Sequence, residues 1–408
     1  MKILFTHRYF WPDTPPYALM LRTIARHFAK DEAHDVHVFA SQPSYGSAER
    51  APKRETLDGM HIARVATFAE DKGRIWTRIA NVAIYCAALF VHVLRARADV
   101  VTAATFPPIA AAWSASLAAK LAGSKFVYHM QDVHPEVSVH SGGRLGRGLP
   151  LKLMRWLDNQ TLRRADAIVV LSQDMANTVA ARMPDRALPI RIVNNFQLES
   201  FAQGEDPPVG LTKAPGTRRI IFAGNMGKFQ NLPLLVDGVA RVLDEYPDVE
   251  LLLLGDGEAK PALAARWGEH PQIKFAPFLP FAQAQPLIAG ADIGLVSLSE
   301  GIYNVSYPSK VLTYIGLSLP MLALVEPDSA LAREIVDNGL GTVPEAATPE
   351  AIADAARALL DAGNRREAVD AYHEANTRPE AAMARWEAVF APLQSDRIGA
   401  RQDANRPL

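Results

Sequence analysis

Cysteine is almost missing from this chain. Cys86 stands alone among 408 residues, which excludes an internal disulfide framework and leaves no cysteine set for a metal. Long apolar runs are missing as well. The stretch IANVAIYCAALFVHVL, between Arg78 and Arg95, has 16 residues, short of the ~20 that a spanning helix requires. It is therefore read as non-spanning, either a buried core helix or a helix lying in one leaflet. The opening MKILFTHRYFWPD lacks the charged start, apolar centre and small-residue cleavage site of a signal peptide and reads as a short strand. Neither sign of charge dominates, since 43 Lys and Arg face 44 Asp and Glu, and no nucleic-acid partner is expected.

The composition that remains, 49% hydrophobic and 21% charged, belongs to folded globular protein. The length favours two cores of roughly 150 to 200 residues each. Charge is divided between them: residues 1 to 200 carry 25 basic against 17 acidic side chains, and the remainder 18 against 27. A basic first half suits anionic headgroups or a diphosphate. The segment RLGRGLPLKLMRWLDNQTLRR (144 to 164) adds Arg144, Arg147, Lys152, Arg155, Arg163 and Arg164 around leucines and Trp156. It reads as a basic amphipathic helix, suited to an anionic membrane surface or to a solvated face over the core.

Short β-rich runs alternate with helical stretches: KILFT, VHVFA, DVVTA, KFVYHM and AIVVL, then RIIFAG, VELLLLG, IKFAPF, DIGLVSL and PMLALV. Such alternation implies βαβ units and parallel sheets. The break between the two sets gives the expected organisation: a first α/β domain over 1–200, a Pro- and Gly-rich linker over 201–218, a second α/β domain over 219–379, an amphipathic helix over 380–394 and a disordered polar tail over 395–408.

Chemistry-bearing residues collect at the strand ends. After RIIFAG the turn through Gly224, Asn225 and Gly227 could bring backbone N–H groups to a phosphate before a helix near Pro233. Ser309 is expected to cap a helix, with Lys310 beside the free N–H groups and Thr313 and Tyr314 on the same face. Gly255 and Gly257 close an apolar strand at the sheet edge where open α/β sheets bind ligands, and Phe278 and Leu279 offer an apolar wall and backbone groups to a nucleobase. In the first half, HMQDVHPE gives His129, Asp132 and Glu136 as candidates for proton transfer to a hydroxyl. His-x4-His without a fixed register is poor evidence for zinc, and no metal site or other cofactor is expected. Tyr9, Asp13, Pro16 and Tyr17, in the aromatic first loop, suit a saccharide.

Taken together, HRYFWPDTPPY, HMQDVHPE, IVNNF, FAGNMGKFQN, LLLLGDGE and YPSKVLTYIGLSLP resemble glycosyltransferase family 4, particularly the bacterial polysaccharide transferases with Gly-Asn-x-Gly-x-x-Gln and Pro-Ser-Lys motifs. The resemblance implies an α/β protein of the GT-B fold, two Rossmann-like domains with parallel sheets facing across a cleft, with donor on the second and acceptor on the first. It also implies departures. Where most members carry Arg and Lys in the phosphate loop this chain has Asn225 and Gln230, so Lys310 is expected to supply the cation, with Lys228 as its competitor. The Glu-x7-Glu pair is missing, its positions falling on Val305 and Thr313, and Glu300, Asn304 and Tyr314 are the nearby substitutes.

The activity implied is retaining transfer of a sugar from a nucleotide diphosphate, UDP before GDP, to a polyprenyl-diphosphate saccharide in cell-surface polysaccharide synthesis. The expected place is the cytoplasm, peripheral at the inner face of the plasma membrane. A nucleotide-sugar epimerase and a non-catalytic nucleotide-sugar-binding partner are the alternatives.

Overall fold

The computed structural model describes residues 1–13, 15–44, 50–68, 75–140, 146–198, 207–363 and 365–404. The chain divides into two compact units, Met1–Asn194 with Ala382–Leu408 and Asn195–Ala381. The last helix thus starts in the second unit and ends in the first.

In the first unit the described strands are β1 (Lys2–Thr6), β2 (Asp35–Ser41), β3 (Arg54–Leu57), β4 (Met60–Val65), β5 (Val100–Ala104), β6 (Lys125–His129), β7 (Ala167–Val170) and β8 (Ile190–Ile192), in the order β3-β4-β2-β1-β5-β6-β7-β8. All pairs are parallel except β3 with β4, a hairpin turning at Asp58-Gly59. The central strands are buried and nearly all apolar, as a sheet covered on both faces requires. The helices are α1 (Pro16–Ala29), α2 (Ile75–Ala96), α3 (Ala110–Ala122), α4 (Glu136–His140), α5 (Gly148–Arg164) and α6 (Gln173–Ala180).

The second unit holds β9 (Arg218–Ala223), β10 (Val249–Leu254), β11 (Ile273–Ala276), β12 (Ile293–Ser297), β13 (Met321–Leu324) and β14 (Gly341–Thr342), all parallel, in the order β11-β10-β9-β12-β13-β14. Its helices are α7 (Leu232–Leu243), α8 (Lys260–Trp267), α9 (Phe281–Ala289), α10 (Ser309–Gly316), α11 (Ala330–Asp337), α12 (Pro349–Asp361) and α13 (Arg366–Tyr372). The core gathers Leu235, Val236 and Val239 of α7, Ile352 and Ala356 of α12, and Leu251 and Leu253 of β10. The strand order reverses beside β1 in the first sheet and beside β9 in the second, and such switch points open a crevice at the carboxyl edge.

Three expectations are corrected. The apolar stretch after Arg78 belongs to a 22-residue helix, because Ile75, Trp76 and Arg78 extend it by another turn; by length and composition it is long and apolar enough to cross a membrane. Nor is it a buried core helix. Only the stripe Asn81, Tyr85, Leu89 and Val93 is buried, while Trp76 is 79% exposed. Finally, residues 395–404 of the expected disordered tail continue the last helix, α14 (Pro379–Ala404), whose Ala-, Arg- and Gln-containing end has adequate helix propensity; 405–408 lie outside the described residues. Of the expected linker, 201–206 lies outside the described residues, and 207–217 belongs to the second unit.

Candidate active site

At the carboxyl edge of the second sheet, two turns are pressed together. The Gly224 N–H donates to Leu254 O at 2.9 Å and the Met226 N–H to Asp256 O at 2.9 Å. This contact dictates glycine on the opposite side. A Cβ on Gly255 would lie 2.0 Å from Gly224 O, and one on Gly257 2.6 Å from Met226 O; both residues hold positive φ, +139° and +154°. Two consequences follow. The Gly224 N–H is spent inside the protein rather than offered to a phosphate, and Gly255 and Gly257 are required for the close approach of two backbones, whatever else they meet.

What the loop does present is a cation. Lys310 Nζ donates to Gln230 Oε1 at 3.1 Å and sits 4.7 Å from the Phe222 ring centroid. A Cβ on Gly224, whose φ is +127°, would meet Lys310 Cε at 3.1 Å and Nζ at 3.5 Å, so the glycine lets the side chain lie across the loop without having to shift. Burial pushes the Lys310 pKa down to about 8, because the charged form is deprived of water. An anion entering here would restore the lost stabilisation. Asn225 is exposed at the loop's rim, its Nδ2 close enough that a Cβ on Gly227 would stand 2.8 Å away. The loop ends in a single 3-10 turn, Lys228–Gln230, followed by Asn231 in the left-handed conformation and then α7. Phe229 O accepts the Ser299 N–H at 2.8 Å, joining this loop to the one after β12 across the switch point.

The remaining donor-side residues sort by burial. Ser309 is not a cap: α10 begins at it, Pro308 is the N-cap, and no side chain bonds the first turn. Thr313 turns its hydroxyl back on Ser309 O at 3.3 Å. Tyr314 is fully buried and its hydroxyl bonds β9, accepting the Ala223 N–H at 3.2 Å and reaching Leu295 O at 3.3 Å. It is a strut between α10 and the sheet, with no surface for a nucleoside. Phe278 is 68% exposed, but its N–H donates to Asp256 Oδ2 at 2.9 Å, which leaves the ring and not that N–H for a base. Leu279 is half-buried beside it, and Asn304 ends the 3-10 turn Ile302–Asn304. Glu300 is exposed in the same loop.

At the carboxyl edge of the first sheet, His129 is buried. Gln131 Nε2 lies 2.7 Å from its Nε2, and Tyr17 Oη 2.9 Å from its Nδ1. With the Gln131 amide donating to Nε2, Nδ1 carries the proton and donates to Tyr17. Burial first, then the neighbouring His7, holds its pKa down to about 3. His129 is therefore a neutral structural imidazole, with Trp386 of α14 edge-on at 4.8 Å, and not a reserve for proton transfer. Glu136 is withdrawn from that role too, being paired with Arg182 and, at 3.1 Å, with Arg155. Asp132, between them in sequence, is half-buried.

Among the saccharide candidates Asp13 is fully buried and accepts the Ser44 N–H at 3.0 Å, so it braces the first loop. Tyr9 stacks on Phe106 at 5.1 Å and is itself buried; Pro16 is the exposed first residue of α1; Tyr17 packs edge-on to His7 at 4.6 Å. Of this set Pro16 alone is exposed. Among the described residues no three His, Cys, Asp or Glu side chains are grouped as a metal site.

Sequence reasoning missed Gln131, Arg182 and Trp386 as parts of the first site. Only Gln131 had a signal, lying within a polar run at a strand end.

Two Rossmann-like units of this order, each with its loops gathered at a switch point, define a GT-B architecture. The chain matches the glycosyl transferase 4-like domain over residues 17–195 and the glycosyl transferases group 1 over residues 217–362, and it belongs to that family of glycosyltransferases. A glycosyltransferase of Pseudomonas aeruginosa, WbjE, is 28% identical over 250 residues, 60% of this chain and 62% of the relative. The Escherichia coli K12 glycosyl transferase WcaI, named for colanic acid biosynthesis, is 24% identical over 202 residues, 48% of this chain and 50% of the relative. These matches span only half to about three fifths of the curated relatives' length. Among solved structures, HepE of Anabaena in complex with UDP and glucose superposes with a TM-score of 0.63 at 16% identity, covering 96% of this chain and 99% of the other. WaaG, a lipopolysaccharide-biosynthesis glycosyltransferase, gives 0.61 at 16% identity, covering 93% and 98%. At such identities the structural likeness speaks for the fold.

Proposed function

We propose that this glycosyltransferase moves a sugar from a nucleoside diphosphate, UDP before GDP, onto a lipid-linked saccharide with retention of anomeric configuration. The observation that carries the reading is the half-desolvated Lys310 ammonium lying across Gly224 beside Gln230 at the switch point of the second sheet. Breaking the anomeric C–O bond leaves its electron pair on the diphosphate, and a preorganised cation is worth most where that charge appears. The acceptor oxygen then bonds to the anomeric carbon and its proton leaves; Asp132 is the carboxylate assigned to orient or take it. UDP in the HepE complex supports the choice of nucleotide.

The acceptor and the membrane are read from the first unit. On α5, Leu149, Leu153 and Trp156 are 78%, 54% and 55% exposed, beside exposed Lys152, Arg155 and Arg163. Arg144 lies outside the described residues. Exposed apolar and basic side chains on one helix suit the anionic inner face of a membrane and a diphosphate-bearing lipid.

The decisive experiment incubates the protein with UDP- and GDP-sugars and a polyprenyl-diphosphate saccharide in anionic vesicles, following sugar on lipid. Transfer from one donor class is expected, with vesicle binding weakened by salt. Isomerised donor without transfer would replace this reading by an epimerase, and tight nucleotide binding without turnover by a non-catalytic partner.

A further inference from the structure

The turn that carries Asp132 is tied down at two places. On the β6 side the Met130 N–H donates to Val169 O at 2.8 Å and the Gln131 N–H to Thr105 Oγ1 at 3.3 Å. On the other side the main anchor is the buried Arg182 guanidinium, with Arg155 pairing Glu136 at 3.1 Å from the exposed side. Arg182, just after α6 with its side chain 5% exposed, donates through Nη2 to the His134 carbonyl at 2.6 Å, pairs with Glu136 at the start of α4, and through Nη1 bonds Asp158 of α5. Asp158 is fully buried and accepts the Tyr128 hydroxyl of β6 at 2.8 Å. Strand, turn and two helices thus converge on Arg182.

We infer that Arg182 is a positioning residue for Asp132, fixing the turn through the carbonyl two residues beyond it and the carboxylate four residues beyond it. The planar guanidinium serves three acceptors in fixed directions, which a lysine ammonium cannot reproduce. Asp158 is what keeps this cation in place, and Tyr128 is what keeps Asp158 oriented. This assignment rests on the reading of the 129–136 turn as the acceptor edge. Small displacement of a reacting group can cost up to ~10²-fold in rate.

The test measures transfer kinetics of the full chain with donor and lipid-linked acceptor, together with UDP affinity, for Arg182→Lys, Glu136→Gln and Asp132→Asn. Arg182→Lys is expected to lower kcat by about 10- to 100-fold while UDP affinity stays within about twofold, since the nucleotide belongs to the other unit. Should Arg182→Lys fail to fold, Glu136→Gln keeps the Arg182–Asp158 pair, removes the charge that ties the turn to Arg182 and to Arg155, and is expected to show the same split in milder form. A crippled Asp132→Asn beside an unimpaired Arg182→Lys, or beside an unimpaired Glu136→Gln where Arg182→Lys does not fold, would overturn the positioning role alone. Wild-type transfer by Asp132→Asn would instead remove the acceptor-edge reading, and the role given to Arg182 with it.

Discussion

Lys310 makes the sharpest prediction because its charge is conditional. Burial pushes its pKa down from 10.5 to about 8, so keeping the ammonium charged without a ligand costs about 3 kcal/mol relative to water. A bound diphosphate reverses that cost and raises the pKa again. The sign follows: below pH 8 the free site is already protonated and affinity is flat, whereas above it the site must take up a proton to bind. Affinity should then fall, by about tenfold between pH 7 and pH 9. The nucleotide does not confuse the window, since a phosphate's second ionisation lies near ~6. Calorimetric titration of UDP at pH 7, 8 and 9 measures it, with Lys310→Gln expected to bind weakly at all three and Lys310→Arg expected to bind without the pH slope. Lys228→Ala, in the adjacent turn, should retain the slope. An unchanged wild-type affinity from pH 7 to 9, or a slope that disappears in Lys228→Ala but persists in Lys310→Gln, would refute the assignment.

Two further outcomes concern stability. Gly255→Ala would place a methyl 2.0 Å from Gly224 O at a φ of +139°; a loss of about 3 kcal/mol or more, with weakened UDP binding, should appear in denaturant melts, and wild-type stability would contradict the interlocked turns. His7 and His129 are held down to about 4 and 3, in both cases chiefly by burial. Their folded pKa values lie below the unfolded one, so this stability is present above about pH 6.5 and lost as pH falls toward 4 and 3. About 2 kcal/mol each should disappear between pH 7 and pH 5, and His129→Gln should flatten its share of that slope.

The strands at the centre of each sheet were legible because burial on both faces makes them short unbroken apolar runs, as in IVV of β7 or LLLL of β10. The β3–β4 hairpin was passed over, since RETL and MHIARV are half polar, although Asp58-Gly59, at φ of +52° and +80°, is a recognisable hairpin turn. Strands β8 and β14, of three and two residues, exist only because a neighbour offers them a ladder. The length of α2 was misjudged for a different reason. Arg78 reads as a boundary in the sequence, yet arginine is among the better helix formers, and a charged residue on an exposed face does not end a helix.

The site was legible in place but not in role, and α10 shows why. Spacing correctly puts Lys310 and Tyr314 on one face, four residues apart, and both do reach β9: Nζ lies over Phe222 and across Gly224, and the hydroxyl meets Ala223. Periodicity cannot say which of two polar tips ends in solvent and which ends on a backbone amide, because that depends on the depth of the groove beneath the helix. Here Tyr314 is fully buried and docks α10 against the sheet. One helical turn nearer the N-terminus, at the sheet's edge, Lys310 emerges over the glycine loop. The phenol that spacing offers as a ligand contact thus docks the helix that carries the cation. The same distinction applies to Asp13 and Glu136, whose carboxylates are committed to Ser44 and to the Arg155–Arg182 pair by partners 31 or, for the arginines, 19 and 46 positions away. No local pattern could have announced them.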